Sequence, residues 1–372
     1  LDVSLLQMFD NSIQRIGFAC KYLHEDQSQK KKILEELQRP LTEKCTTVAW
    51  LNRQTTEVAE QRLWDIMVHN AAAVKRLIEY VGSLPPELRM VRLGSNQLPC
   101  ATEPSWRYFW SRPDVVEYCE KHYAAVGDAA RRLDVRLSMH PGQFTVLASD
   151  NPEIVERSIE EFEYHATLIR WMGYGQSFQD FKNNVHISGR KGPQGIKDIL
   201  PRLSPEARNT ITIENDENKW GLEASLELAD DVPLVLDIHH HWVNTGEYIE
   251  PDDDRIYRII DSWRGVRPAM HYSLCREDYL QGHRSDVRPD MSQLIEAGYK
   301  KQKLRAHSDY CWNVACNEWA LEHWQWSILD FWAAQLLLGG VQSHPPGHQI
   351  HGPTNNNKFL LSPPCCRLQI LD

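Results

Sequence analysis

The stretch PLVLDIHHHWVN at 233–244 passes from an apolar segment straight into Asp237, His239, His240 and His241. Neutral imidazole and carboxylate are the usual side chains that hold zinc or manganese. The stretch is therefore either part of a metal site or a polar loop in which one histidine satisfies the core. Other short apolar runs end in the same chemistry. DVRLSMH (134–140) ends in His140, NVHISG (184–189) carries His186, NTITIE (209–214) ends in Glu214 and PAMHYS (268–273) carries His271. RAHSDYCW adds His307 and Asp309 in what would be the next loop. A single histidine at a strand end is more often structural than ligating. Metal-type residues at the ends of consecutive strands, converged by a fold on one point, make a centre for two or three divalent ions. Spacing alone does not choose among His239, His240 and His241.

The elements that would position these residues alternate. QRIGFAC (14–20), RMVRLGS (89–95) and PLVLD (233–237) join the runs above as short candidate strands. Between them lie amphipathic helical patterns. TTEVAEQRLWDIMVHNAAAVKRLIEYV carries Val58, Leu63, Ile66, Met67, Val74, Leu77 and Ile78 at helical spacing. NPEIVERSIEEFEYHATLIRWMG has Asn151 as N-cap, Pro152 in the first turn and Gly173 as its stop. Strands alternating with helices indicate βαβ units and a parallel sheet. The fold class expected is α/β, a TIM-type (β/α)8 barrel with its metal cluster at the C-terminal ends of the strands, where such barrels place their active sites. One domain is expected over 1–338, with its core from about 14, followed at 339–372 by an irregular Pro/Gly/Asn-rich tail.

Bulk properties narrow the classes. A chain of 372 residues with 42% hydrophobic and 25% charged residues is an ordinary globular composition. The net charge of −10 excludes a general basic coat for nucleic acid but not a local basic groove. The nine cysteines form no CxxC pair, so neither a disulfide framework nor a zinc ribbon is indicated. No apolar run approaches the roughly 20 residues of a membrane span. The expectation is a soluble, membrane-free monomer in the cytoplasm or nucleoid, or in the nucleus of a eukaryote. A serine or cysteine nucleophile is a poor reading, because Cys20 at a strand end has no indicated partner base.

RIGFAC, TTVAWLNRQ, HPGQF, NVHISG, TITIENDEN, LVLDIHHHW, MHYS and KLRAHSDYCWN resemble, in that order, the motifs of the UV damage endonuclease family. The resemblance runs from about 14 to about 325. It implies a metal-dependent barrel, related to endonuclease IV, that nicks double-stranded DNA on the 5′ side of UV photoproducts such as pyrimidine dimers and 6-4 photoproducts, and of some other lesions. Carried over by position, it makes His140, His186 and Glu214 ligands of one ion. Glu214 bridges to a second ion shared with Asp237 and His271, and His240 and His307 hold a third. Glu214, Asp237 and His271 are then the catalytic set, with His239 and His241 left to supporting roles and Asp309 orienting His307. The implied cofactors are two or three divalent ions, manganese first, with zinc, magnesium or cobalt as alternatives. Such ions activate the attacking hydroxide and stabilise the leaving oxygen.

The resemblance also implies how a lesion is held. Gln143 and Phe144 in HPGQF probe the stack and fill the gap left by flipped nucleotides, since a damaged pair costs less to unstack. Arg190 and Lys191, together with Lys303 and Arg305, supply backbone contacts that give affinity without sequence information. The chain departs from the family pattern at Phe18 and Tyr22, at Ala269 where some members carry a lysine that bridges metals, and at the last strand. There the metal-ligating glutamate is absent, and SILDF offers only Asp330. Two other readings stand beside the endonuclease: a lesion-binding protein that cannot cut, and a metal-dependent sugar isomerase or epimerase on a related barrel.

Overall fold

The computed structural model describes residues 14–20, 22–24, 28–142, 144–308 and 310–331. Its centre is a closed parallel barrel in sequential order. The strands are β1 (Ile16–Ala19), β2 (Met90–Leu93), β3 (Arg136–Met139), β4 (Lys182–His186), β5 (Ile211–Glu214), β6 (Leu234–Asp237), β7 (Ala269–Tyr272) and β8 (Ile328–Phe331). The principal helices between them are α1 (Thr56–Gly82), α2 (Pro113–Arg132), α3 (Pro152–Trp171), α4 (Gly192–Ile199), α5 (Leu222–Leu226), α6 (Ile238–Thr245), α7 (Asp254–Ser262) and α8 (Val314–Glu322). The TIM-type barrel expected from strand and helix alternation is the fold observed, and SILDF supplies the eighth strand.

Local chemistry explains the elements. The strands are short and nearly all buried, as both faces of a barrel wall must be. The Thr55 side chain accepts from Val58 N at the start of α1, and Asn151 does the same for Glu153 N ahead of Pro152 in α3. Gly173 follows at φ +77°, a left-handed conformation that ends the helix region. On α1, Leu63, Ile66, Met67, Val74, Leu77 and Ile78 are buried as the spacing predicts. Val58 is not: at 49% exposure it lies in the first turn, before the helix reaches the barrel wall.

The core divides between the two sides of the barrel. One cluster joins α1 and α2 to β2 and β3, and the other joins the strands and helices from β4 onward. Register then sets the mouth. His186 pairs with Glu214, Asp237 with His271, and His271 with Asp330. No helix among the described residues is long and apolar enough to cross a membrane. The tail from 339 and the sites at Gln143 and Asp309 lie outside the described residues.

Candidate metal centre

Glu214 closes β5 and is 1% exposed. Its Oε2 lies 3.0 Å from His271 Nδ1, 3.3 Å from His140 Nε2 and 3.8 Å from His186 Nε2. Its Oε1 lies 3.2 Å from His240 Nδ1. Four imidazoles from four different segments thus surround one carboxylate. The carboxylate is aimed from below: Thr212 Oγ1 donates to Asn184 Oδ1 at 2.7 Å, and Asn184 Nδ2 donates to Glu214 Oε2. All three side chains come from the facing strands β4 and β5.

The three histidines after Asp237 do not form a loop. They occupy the first turn of α6, and Asp237 is its N-cap, with Oδ1 accepting from His240 N at 2.8 Å. Side chains three apart share a helical face, so His240 returns over Asp237 toward the mouth. His239 and His241 turn away. The His239 ring stacks on Trp242 at 5.7 Å. His241 Nε2 lies 3.1 Å from Glu247 Oε2, which belongs to a carboxylate in turn bound by Arg255. Both residues anchor the helix that presents His240.

Three groups of side chains bring ligand atoms within 4.8 Å of one another: His140, His186 and Glu214; His186, Glu217 and His240; and Glu214, Asp237 and His271. These groups suit divalent ions, because each mixes imidazole with carboxylate. Two of the histidines have one ring nitrogen fixed by a carbonyl. His140 Nδ1 meets Pro141 O at 2.8 Å and His240 Nδ1 meets Asn215 O at 3.0 Å, which turns each Nε2 toward the centre as a ligating atom. A ring nitrogen has one lone pair, so the shared His186 serves one of its two groups at a time.

Electrostatics follow from crowding. Glu214 is held far below the usual carboxylate range: burial opposes its charge, but the rings of His271, His186, His140 and His240 outweigh it. Burial likewise opposes charge on His240, yet Asp237, Glu214 and Glu217 push it up to about 10. Burial lowers His140 to about 4 and raises Asp237 to about 6. An ion at His240 Nε2 would displace the proton that these carboxylates otherwise retain.

Glu217 was missed in the sequence. It lies in ENDEN beyond β5, with Oε2 3.9 Å from His240 Nε2. The signal available was the acidic run directly after a strand-end ligand. His307 comes near, its ring 5.5 Å from His240, but its Nδ1 meets Ser273 Oγ and it joins none of the three groups. Asp330 joins none either. Around the mouth, Phe144 is 85% exposed, and Arg190, Lys191, Lys303 and Arg305 are all exposed. Arg190 meets Asp150 at 3.2 Å, Lys303 lies over the Tyr279 ring at 5.6 Å, and Arg305 donates to Asn218 Oδ1 at 3.2 Å.

A (β/α)8 barrel with clustered histidines and carboxylates at the C-terminal strand ends defines a class of candidate divalent-metal barrel enzymes. The family profile described as UV-endonuclease UvdE matches residues 15–321, and the chain belongs to that family. It is 30% identical over 245 residues to a UV-damage endonuclease of Neurospora crassa, covering 58% of this chain and 37% of that protein. It is 25% identical over 239 residues to a UV DNA damage endonuclease of Bacillus cereus strain Q1, covering 62% of this chain and 72% of that one. The chain therefore spans well under half of the fungal relative. A solved structure described as SacUVDE superposes with a TM-score of 0.64 at 20% identity, covering 87% of this chain and 93% of that one, and shares the fold.

Proposed function

We propose that this chain is a divalent-metal-dependent endonuclease that nicks double-stranded DNA 5′ to UV photoproducts and acts as a monomer. The observation that carries the reading is Glu214, a buried carboxylate within 3.8 Å of ring nitrogens on His140, His186, His240 and His271. A buried carboxylate ringed by imidazoles is the mixed ligand set that divalent cations take. His140, His186 and Glu214 would hold one ion, and Glu214 with Asp237 and His271 a second. His240 and Glu217 would hold a third, with His307 beside them. Divalent ions at these positions, manganese foremost, supply Lewis acidity toward water and a phosphodiester.

The rest is done by the chain itself. Asn184 and Thr212 keep the Glu214 carboxylate in one orientation. Asp237 caps α6 and thereby keeps His240 facing the centre. The exposed ring of Phe144, with Gln143 beside it in sequence, would enter the gap left by displaced nucleotides. Arg190, Lys191, Lys303 and Arg305 would follow the phosphates.

One observation favours a second reading, a lesion-binding protein with impaired cleavage: the eighth-strand carboxylate Asp330 is engaged by Lys182 at 3.2 Å. A nicking assay separates the two. Irradiated and intact duplexes are incubated with chelator-stripped protein, with and without added manganese. The endonuclease reading expects manganese-dependent nicks confined to irradiated duplex. Retarded duplex without nicks at any metal concentration supports the binding protein.

A further inference from the structure

Beneath His271 the barrel interior holds a charged cluster that metal chemistry does not require. Lys182, at the start of β4, is 1% exposed and reaches up the barrel until Nζ lies 2.7 Å from His271 Nε2. Arg92 on β2 is 2% exposed, with NH1 3.5 Å from the same nitrogen. Asp330 on β8 completes the cluster, its Oδ2 3.2 Å from Lys182 Nζ and 4.0 Å from Arg92 NH1. Burial opposes charge on all three. For Asp330 the two cations outweigh burial and hold the carboxyl far below its usual range.

The cluster has two buried cations and one buried anion. Its residual positive charge stands against His271 Nε2, with Lys182 nearest at 2.7 Å and Asp330 Oδ2 farther off at 3.5 Å, while Nδ1 on the other side faces Glu214. An isolated ion pair would be neutral toward a metal; this one is not. Arg92 and charged Lys182 can only donate, so His271 Nε2 accepts and the neutral ring carries its proton on Nδ1, which an ion bound there must displace, a further cost at this position. The carboxylate that β8 offers meets Lys182 through Oδ2 at 3.2 Å and lies outside all three ligand groups.

We propose that Lys182, with Arg92, makes the Glu214–Asp237–His271 position the weakly held one of the candidate metal positions, Asp330 acting as counter-ion to Lys182 and Arg92 rather than as a metal ligand. This inference rests on the metal-centre reading above. Like charges a few ångströms apart in a poorly screened interior repel strongly. The position then fills last as manganese rises, and the negative charge of a bound phosphate favours its filling.

The test is a manganese titration of stripped protein, followed by electron paramagnetic resonance and by the metal retained after desalting. Lys182→Met, and Lys182→Gln as a second neutral variant that keeps a donor, are compared with the parent after thermal melts confirm folding. Either neutral variant should bind its weakest manganese on the order of tenfold more tightly than the parent. If the variants that fold bind it equally or more weakly, the inference is overturned while the metal centre stands. Asp330→Asn provides a further check. Loss of retained manganese in Asp330→Asn, with no gain in either lysine variant, identifies Asp330 as a ligand and also overturns it. A parent protein that retains no manganese, with all variants alike, overturns the metal-centre reading itself.

Discussion

Glu217 Oε1 stands 3.5 Å from Arg305 NH1, while its Oε2 stands 3.9 Å from His240 Nε2. One carboxylate therefore joins a basic loop to the metal-facing edge of a histidine. Arg305 comes from the loop that also carries His307, so this contact ties that loop to the acidic run after β5. Glu217→Gln should lower the manganese retained by the protein and leave DNA affinity within about twofold at matched salt, since of the cations proposed to follow the phosphates it meets Arg305 alone. Arg305→Ala should weaken binding evenly across sequences and reduce the salt slope by about 1. An unchanged metal content in the glutamine variant would remove Glu217 from the ligand set.

The central carboxylate gives the sharpest loss. Glu214→Gln keeps the shape and the Asn184 contact but removes the charge that four imidazoles surround. Nicking of irradiated duplex should fall by roughly three orders of magnitude or more, with binding changed far less, because paired-metal chemistry depends on that charge and phosphate contacts do not. Gel-based nicking and filter binding on one preparation measure both. Near-parental nicking would refute the bridging role.

Metal removal should destabilise the fold. Without ions, Glu214, Asp237 and Glu217 crowd at one mouth, where burial keeps His140 and His186 from charging freely. A ligand that binds only the native state raises stability in proportion to the logarithm of its concentration over its dissociation constant. Exhaustive chelation should lower Tm by several degrees, and added manganese should restore it. An equal Tm in chelator and in manganese would refute the cluster.

Phe144 is 85% exposed, so its ring is not part of the core. Phe144→Ala should leave Tm and metal content unchanged and reduce discrimination between irradiated and intact duplex by about tenfold, within the range of one aromatic–base stack. Competition binding with the two duplexes measures the ratio. A variant that unfolds, or that discriminates as the parent does, would rule out the wedge.

Glu43 predicts a pH effect away from the metal centre. Burial raises its carboxyl from 4.5 to about 7, although backbone amides at Asn96 and Gly94 favour the anion. The native state then binds this proton more tightly than the unfolded chain does. Its contribution to stability is complete below pH 4.5 and declines as pH rises toward 7, where it is lost. Urea midpoints at about pH 5 and about pH 8 should show a smaller pH difference in Glu43→Gln than in the parent, by on the order of 1–2 kcal/mol. Equal differences would assign the effect to other groups.

Much of the barrel was legible because its rules are local. Apolar runs of strand length, a cap such as Asn151, and helical spacing on α1 each arise from near neighbours in the chain. His140, His186, Glu214, Asp237 and His271 stood at strand ends, and any closed parallel barrel brings strand ends to one mouth. Tertiary structure decided what distance along the chain cannot encode. The turn of α6 from its Asp237 cap, not the order of three identical letters, sends His240 inward and His239 and His241 away. Nothing in its neighbours marks Lys182, and its long side chain meets His271 and Asp330 only because β4, β7 and β8 surround one interior. Glu217 and Arg305 are 88 positions apart by their numbering, yet packing sets their carboxylate and guanidinium side by side. Residue type and period determine which groups reach the mouth; side-chain reach and the closure of the sheet determine which of them touch.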